Sequence, residues 1–286
     1  MTIYRTATAV ALAIAASSPA LAQDTTPDGF ARDTHFDGFY VSGFAGWGVQ
    51  GNDGGDSILF DTNGDGAFDN TVNTVAGANA FSPGFCNGEA LSAVPSGGCA
   101  RDKDSMEYGG RVGFDSRMGG GNFVVGGLVE VSKSGSKDGT SAYSITPANY
   151  GIVRKLDYAV SARARAGYTP GGGALFYVTG GGSYAKIDHR FFTTNGVNAF
   201  DEDRDGKMVW GWQAGGGGEV MLTNQISLGL EYLYNRYRDN KYTVGVTQGT
   251  AGATNPFIQA SPQTDLRLSD KNFDFHSLRA TVSYQF

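Results

Sequence analysis

The stretch HSLRATVSYQF, His276 to Phe286, alternates without a break. Leu278, Ala280, Val282, Tyr284 and Phe286 are apolar or aromatic, and Ser277, Arg279, Thr281, Ser283 and Gln285 between them are polar. Side chains of a β-strand point alternately to its two faces, so this is a strand with one wet and one apolar side. Chain ends ordinarily fray into water. An apolar face carried to the last residue therefore needs an environment other than water.

Seven earlier stretches repeat the pattern. FDGFYVSGFAGWGV puts Phe39, Val41, Ala45, Trp47 and Val49 on one face, and MEYGGRVGF sets Met106, Tyr108, Val112 and Phe114 against Glu107 and Arg111. FVVGGLVEVS sets Phe123, Val125, Val129 and Val131 against Glu130, and ALFYVTGGGSYAK turns Phe176 and Val178 outward. LDYAVSARARAGY reads Leu156, Tyr158, Val160, Ala162, Ala164, Ala166 and Tyr168 outward against Asp157, Ser161, Arg163 and Arg165. MVWGWQAGGGGEVML and ISLGLEYLYNRY continue with Trp210, Trp212, Leu228, Leu230 and Tyr232 outward, and with Glu219 and Glu231 on the other side. Glycine supports strands and turns: 44 of 286 residues is about twice the usual ~7% share.

Eight strands of about 9–11 residues match the smallest barrels that cross a bilayer. The links alternate as such barrels require. DSRMGGGN, TPGGG and TNQ are short, whereas about 50–105, 133–155, 187–207 and 239–272 are long. Periplasmic turns are short and extracellular loops long. Aromatics gather at strand ends (Tyr168, Trp210, Trp212, Tyr232, Tyr234, Phe286), where interfacial girdles sit. The expected fold is all-β: an eight-stranded antiparallel transmembrane β-barrel with four long extracellular loops. In hydrocarbon every backbone group must be paired, so the last strand has to close against the first.

The N-terminus agrees. Residues 1–22 carry Arg5, an apolar run from Ala7 to Ala16, Pro19 and Ala20-Leu21-Ala22, the layout of a cleaved signal peptide. Residues 23–35 then form a short periplasmic segment, and 36–286 the barrel domain. Removing Arg5 leaves 21 basic against 28 acidic residues, a formal charge of −7; nucleic-acid binding, which asks for a basic face, is not expected.

The stretches FDGFYVSGFAGWG, FYVTGGGSYAK, GWQAGGGGEV, GLEYLY and the terminal VSYQF resemble the small outer-membrane β-barrel proteins grouped with the OmpA transmembrane domain, in particular the alphaproteobacterial porin-family surface antigens. The resemblance covers the strands, about half of the mature chain; the long loops match nothing in it. It implies a monomer in the outer membrane of a Gram-negative bacterium, in contact with membrane lipid and lipopolysaccharide. It also implies that Tyr284 and Phe286 are read by the outer-membrane assembly machinery. With the chain stopping at its eighth strand, the periplasmic peptidoglycan-binding domain of longer relatives is not expected.

The inward positions collect Glu107, Arg111, Asp115, Glu130, Asp157, Arg163, Arg165, Glu219, Glu231 and Arg279. An eight-stranded barrel is only wide enough for side chains to fill it, and buried charges must be paired. The expected result is a structural salt-bridge core. The alternative is a narrow porin-like channel for ions or small solutes, gated by rearranging those pairs. Catalysis is not expected. His35, His189 and His276 are the only histidines, and His276 and Ser277, adjacent in a strand, face opposite ways.

Cys86 and Cys99, the only cysteines, share the first long link and are expected to form a disulfide outside the cell. Two aspartate-rich stretches complete the inventory. DTNGDG places Asp61, Asn63 and Asp65 at alternate positions before Gly66, with Asp69 following; DEDRDG places Asp201, Asp203 and Asp205 before Gly206. Both match the opening half of a calcium loop, which supplies side-chain oxygens around a sharp glycine turn. Both lack the bidentate Glu at position twelve, occupied here by Val72 and Trp212, so any Ca²⁺ in the extracellular loops would be weakly held. The plain alternative is polar surface turns. What the loops bind outside the cell is not written in these motifs.

Overall fold

A computed structural model describes residues 35–51 and 55–286. The expected signal peptide (1–22) and all but the last residue of the 23–35 segment lie outside the described residues. Eight long strands form the barrel: β1 (Gly38–Gln50), β2 (Ser105–Arg117), β3 (Phe123–Ser134), β4 (Ala148–Tyr168), β5 (Ala174–Thr193), β6 (Lys207–Met221), β7 (Ile226–Arg238) and β8 (Asn272–Gln285). Each pairs antiparallel with its chain neighbours, and β8 pairs with both β7 and β1, which closes the ring. The closing register runs from Tyr40 opposite Gln285 to Gln50 opposite Phe275. The Phe286 N–H donates to the Phe39 carbonyl at 3.0 Å, so the ladder reaches the last residue.

The outer wall is what water would not tolerate. Phe39, Trp47, Val112, Val178, Trp210 and Leu278 are each 58–68% exposed, in a band that runs over every barrel strand. A contiguous apolar surface of that extent marks a membrane or a partner. Its two rims are aromatic. Phe39 packs on Phe114, Phe123 on Tyr168 and Tyr284 on Phe286 at one end. Tyr184 packs on Trp210, Trp212 on Tyr234 and Tyr232 on His276 at the other. Rings with an apolar body and a polar tip belong at the two water interfaces of a bilayer.

Inside, small residues make room for large ones. Tyr40 lies opposite Gly113, where a Cβ would come within 2.4 Å of the tyrosine ring. At the periplasmic mouth Phe36 is buried with Val124, Leu175 and Tyr177, and its N–H donates to the Gln285 side chain.

The three short links are tight turns, as expected. The four long links are a folded structure rather than open loops. β4 and β5 are 21 and 20 residues long, about twice what a bilayer needs, and continue outward as a two-stranded blade. Lys137–Ser144 adds to the edge of β4, and Gly84–Asn87 adds to that strand in turn. Three of the links also contribute to a separate four-stranded sheet: Ala199–Asp203, Thr243–Thr247, Gln263–Leu268 and Ile58–Asp61, in that order. Between blade and sheet lies an apolar core built on Phe60, Phe81, Tyr150, Ile152, Val244, Phe257 and Leu266. The Cys86–Cys99 disulfide is present at the edge of this cap.

Candidate functional site

Strand alternation delivers nine ionisable side chains to the barrel interior. Arg279 on β8 binds Glu107 on β2 and Glu130 on β3, the latter at 2.6 Å. Arg163 on β4 also binds Glu130, at 2.7 Å, and lies 3.3 Å from Glu231 on β7. Arg111 on β2 binds Glu231 at 2.8 Å. Arg165 binds Asp115 and, at 2.8 Å, Glu219. Every one of the nine is at most 3% exposed. Four guanidiniums against five carboxylates nearly neutralise one another, and forked guanidiniums let each cation bridge two strands. Aromatic faces complete the shell: Arg165 lies over Tyr40 and Tyr177, and Arg279 over Phe44. The Tyr177 hydroxyl donates to Glu231 at 2.9 Å and the Ser227 hydroxyl to Glu219 at 3.2 Å.

Asp157, the tenth residue expected inside, is elsewhere. The β4–β5 register slips where Lys186 pairs with Tyr158 but Ile187 pairs with Leu156, so Asp157 is an extra residue in a bulge. A bulge inverts the alternation beyond it. Leu156, expected outward, is therefore fully buried, and Asp157 is half-exposed between Lys133 at 3.4 Å and Lys186 at 3.5 Å.

Above the charges the lumen changes character. Ser161, Ser183, Tyr237, Gln213, Asn235 and Ser277 form a hydrogen-bonded layer. Leu156, Ala159, Ala185, Ile187, Phe273 and Phe275 then close it with an apolar lid. A second ionic cluster follows beneath the cap. Arg154 binds Asp138 and Asp270, each at 2.5 Å, and donates to the Asn272 carbonyl at 2.6 Å. Burial works against its charge, but Asp138, Asp239 and Asp270 more than offset this and hold the guanidinium above its ordinary range. His189 contacts Asp239 at 2.8 Å and stacks on Tyr242 at 4.1 Å. This cluster was not read from the sequence. Arg154 lies beyond the bulge, in a segment whose pairing partners come from other links.

The remaining candidates are placed as follows. The Asp61 carboxylate accepts from the N–H groups of Asn63, Gly64 and Gly66, and Asp65 accepts from the Ala67 N–H and the Asn63 amide. Asp69 lies beside the Asn70 amide. Asp201 and Asp203 are exposed on the cap strand Ala199–Asp203, whereas Asp205 turns back to accept from the His189 N–H at 2.6 Å. DEDRDG is thus strand followed by turn rather than one continuous wrap. Among the described residues no group of three or more His, Cys, Asp or Glu is arranged to hold a metal ion. His276 faces outward against Tyr232 while Ser277 faces the lumen.

One carboxylate in the first long link is set to titrate near neutrality. Burial beside Asp138 raises Asp102 from its ordinary 3.8 to about 7, although the Gly139 N–H donates to it. Between these pH values the folded chain keeps a proton that the unfolded chain has lost, so stability falls as pH rises through 7. Hydrogen exchange at Gly139, corrected for its intrinsic pH dependence, should be slower at pH 5 than at pH 8. Asp102→Asn should abolish that difference; an equal difference in the variant would exclude Asp102 as its source.

A closed eight-strand antiparallel barrel with an apolar outer band, two aromatic rims and a filled polar interior is an outer-membrane β-barrel. The protein is therefore an eight-stranded barrel of the Gram-negative outer membrane. The chain is 26% identical over 132 residues to the 31 kDa outer-membrane immunogenic proteins of Brucella melitensis biotype 1 and Brucella suis biovar 1. The match takes in 46% of this chain and spans about half the length of those relatives, 47%. No protein-family model matches the chain. Among solved structures it is similar to the outer membrane protein OprG from Pseudomonas aeruginosa, with a TM-score of 0.49 and 12% identity over 89% of this chain and 98% of that one. It is also similar to Neisserial surface protein A, with a TM-score of 0.33 and 11% identity over 87% and 98% of the two chains.

Proposed function

We propose that the barrel is a sealed anchor and that the work of the protein is done by its extracellular cap, as a surface for interaction with molecules outside the cell. The observation that carries this reading is the lumen. Ion pairs, a hydroxyl and amide layer and an apolar lid succeed one another from the periplasmic mouth upward, leaving Arg111, Glu130, Leu156 and Ile187 at most 3% exposed. A conduction path would have to break several buried pairs at once, each costly to open. The cap is invested differently. It has its own apolar core and a disulfide, which is more structure than linkers between strands require. The word immunogenic in the relatives' name fits a protein seen from outside.

No catalytic role is assigned. His189 is spent on Asp239 and Tyr242, and His276 and Ser277 lie on opposite faces of β8.

Planar-bilayer recording of the refolded full chain tests the proposal. Bilayers holding the folded protein should stay electrically silent. Reproducible single-channel steps would replace the anchor reading with a narrow channel through rearranged ion pairs.

A further inference from the structure

The first long link is one-sided in charge: residues 51–100 contain five Asp and one Glu, and no Lys or Arg. Asp61 and Asp65 accept from N–H groups of their own turn. Asp69 is exposed, accepts from the Asn70 amide at 3.1 Å, and makes no ion pair among the described residues. Beside it the same link encloses a cavity of about 220 Å³. Phe60 and Phe81 are its buried floor, Phe68 and Phe85 stand at its sides, and Asp69 and Thr71 lie at its exposed rim.

Phe68 shows what these rings accept. The guanidinium of Arg267, on the neighbouring cap strand, lies over its ring at 4.1 Å. Arg267 does not itself line the cavity. Apolar surface continues beyond the rim: Phe85 is 41% exposed, and so, at 44%, is Ile145, whose N–H donates to the carbonyl of Ala80 next to Phe81. Exposed apolar surface around a pocket marks a contact with another protein.

We infer that this cavity takes a cationic side chain, best an arginine, of a basic protein met outside the cell; the inference rests on the reading of the cap as an interaction surface. Size selects a side chain, since pockets that enclose a whole small molecule run to about 300–1,000 Å³. Charge selects a cation, because an acidic partner would meet six carboxylates and no basic residue along 51–100. The walls select an organic cation. A metal ion wants six or more oxygens, and here most of the lining is aromatic or aliphatic. A guanidinium is drawn to ring faces, the more so when desolvated, and its planar fork fits a carboxylate. Its aliphatic stem would pack against Phe85 while the head reaches Asp69.

Fluorescence anisotropy of a labelled hexa-arginine peptide, titrated with the refolded full chain in zwitterionic detergent, tests this. The unmodified chain should bind the peptide saturably and should not bind hexa-citrulline, its uncharged isostere. Asp69→Asn should weaken binding at least about tenfold, a guanidinium–carboxylate pair being a strong charge-assisted contact. Phe85→Ala should weaken it about threefold through the lost ring face. Both residues are exposed, and heat-modifiable migration checks that both variants fold. Asp201→Asn with Asp203→Asn removes two exposed charges from another cap strand and should cost less than about twofold at physiological salt, where distant charges are screened. Unchanged binding by Asp69→Asn would overturn the proposal. An equal loss from the Asp201–Asp203 variant would overturn it in favour of diffuse attraction, and equal binding of hexa-citrulline in favour of an uncharged anchor. Any of these outcomes with electrically silent bilayers would leave the sealed-anchor reading standing; single-channel steps would remove that reading whatever the peptide does.

Discussion

Replacing Arg279 with alanine is expected to lower the stability of the barrel by about 3–5 kcal/mol, the usual cost of stranding a buried charge. Arg279 is shared among three carboxylates of the lumen. It bridges Glu107 and Glu130, lies 3.7 Å from Glu231, and is fully buried beneath the Phe44 ring. Alanine leaves Glu107 without its guanidinium and Glu130 with Arg163 as its near partner. Arg279→Lys should recover only part of the loss, because a point charge cannot fork between two carboxylates. The urea midpoint for unfolding from lipid vesicles reads the effect. A midpoint unchanged in the alanine variant would mean that water fills the lumen and screens these charges, which would also weaken the sealed-anchor reading.

The barrel was legible in the sequence because a membrane enforces its rule at every position. Lipid on one side and a filled lumen on the other leave no tolerance for a misplaced side chain, so alternation survives along the bilayer-crossing part of each barrel strand. Asp157 marks the limit of that reading. A single inserted residue in β4 inverts the faces beyond it, and a bulge has no signature in alternating hydrophobicity. Arg154 was hidden because it lies beyond that bulge, and Asp138, Asp239 and Asp270 because they come from links with no period to follow. The cap itself was invisible for a different reason. Its strands are 2–8 residues long where they do not continue the barrel, and its core is assembled from all four links. No window of sequence contains enough of that core to show a face.

The cap should therefore fold as a unit that the barrel supports but does not depend on, and Phe81 is the residue that tests this. Phe81 is 3% exposed and its ring meets Phe60 at 4.5 Å, Tyr150 at 5.2 Å and Phe257 at 5.8 Å. Those three rings come from the first link, the outward end of β4 and the fourth link. Removing the ring leaves a cavity at their meeting point, and Phe→Ala in a packed core costs about 3–5 kcal/mol. In a cap of this size that loss is comparable with what a small core supplies altogether. Phe81→Ala should expose the first and fourth links to protease on intact cells. The barrel strands, held by their closed ladder and lumenal ion pairs, should stay protected and heat-modifiable. Loss of the barrel together with the cap would show that the two cooperate as one folding unit. Full protease resistance of the variant would show that the ladders between the links, rather than the aromatic core, hold the cap together.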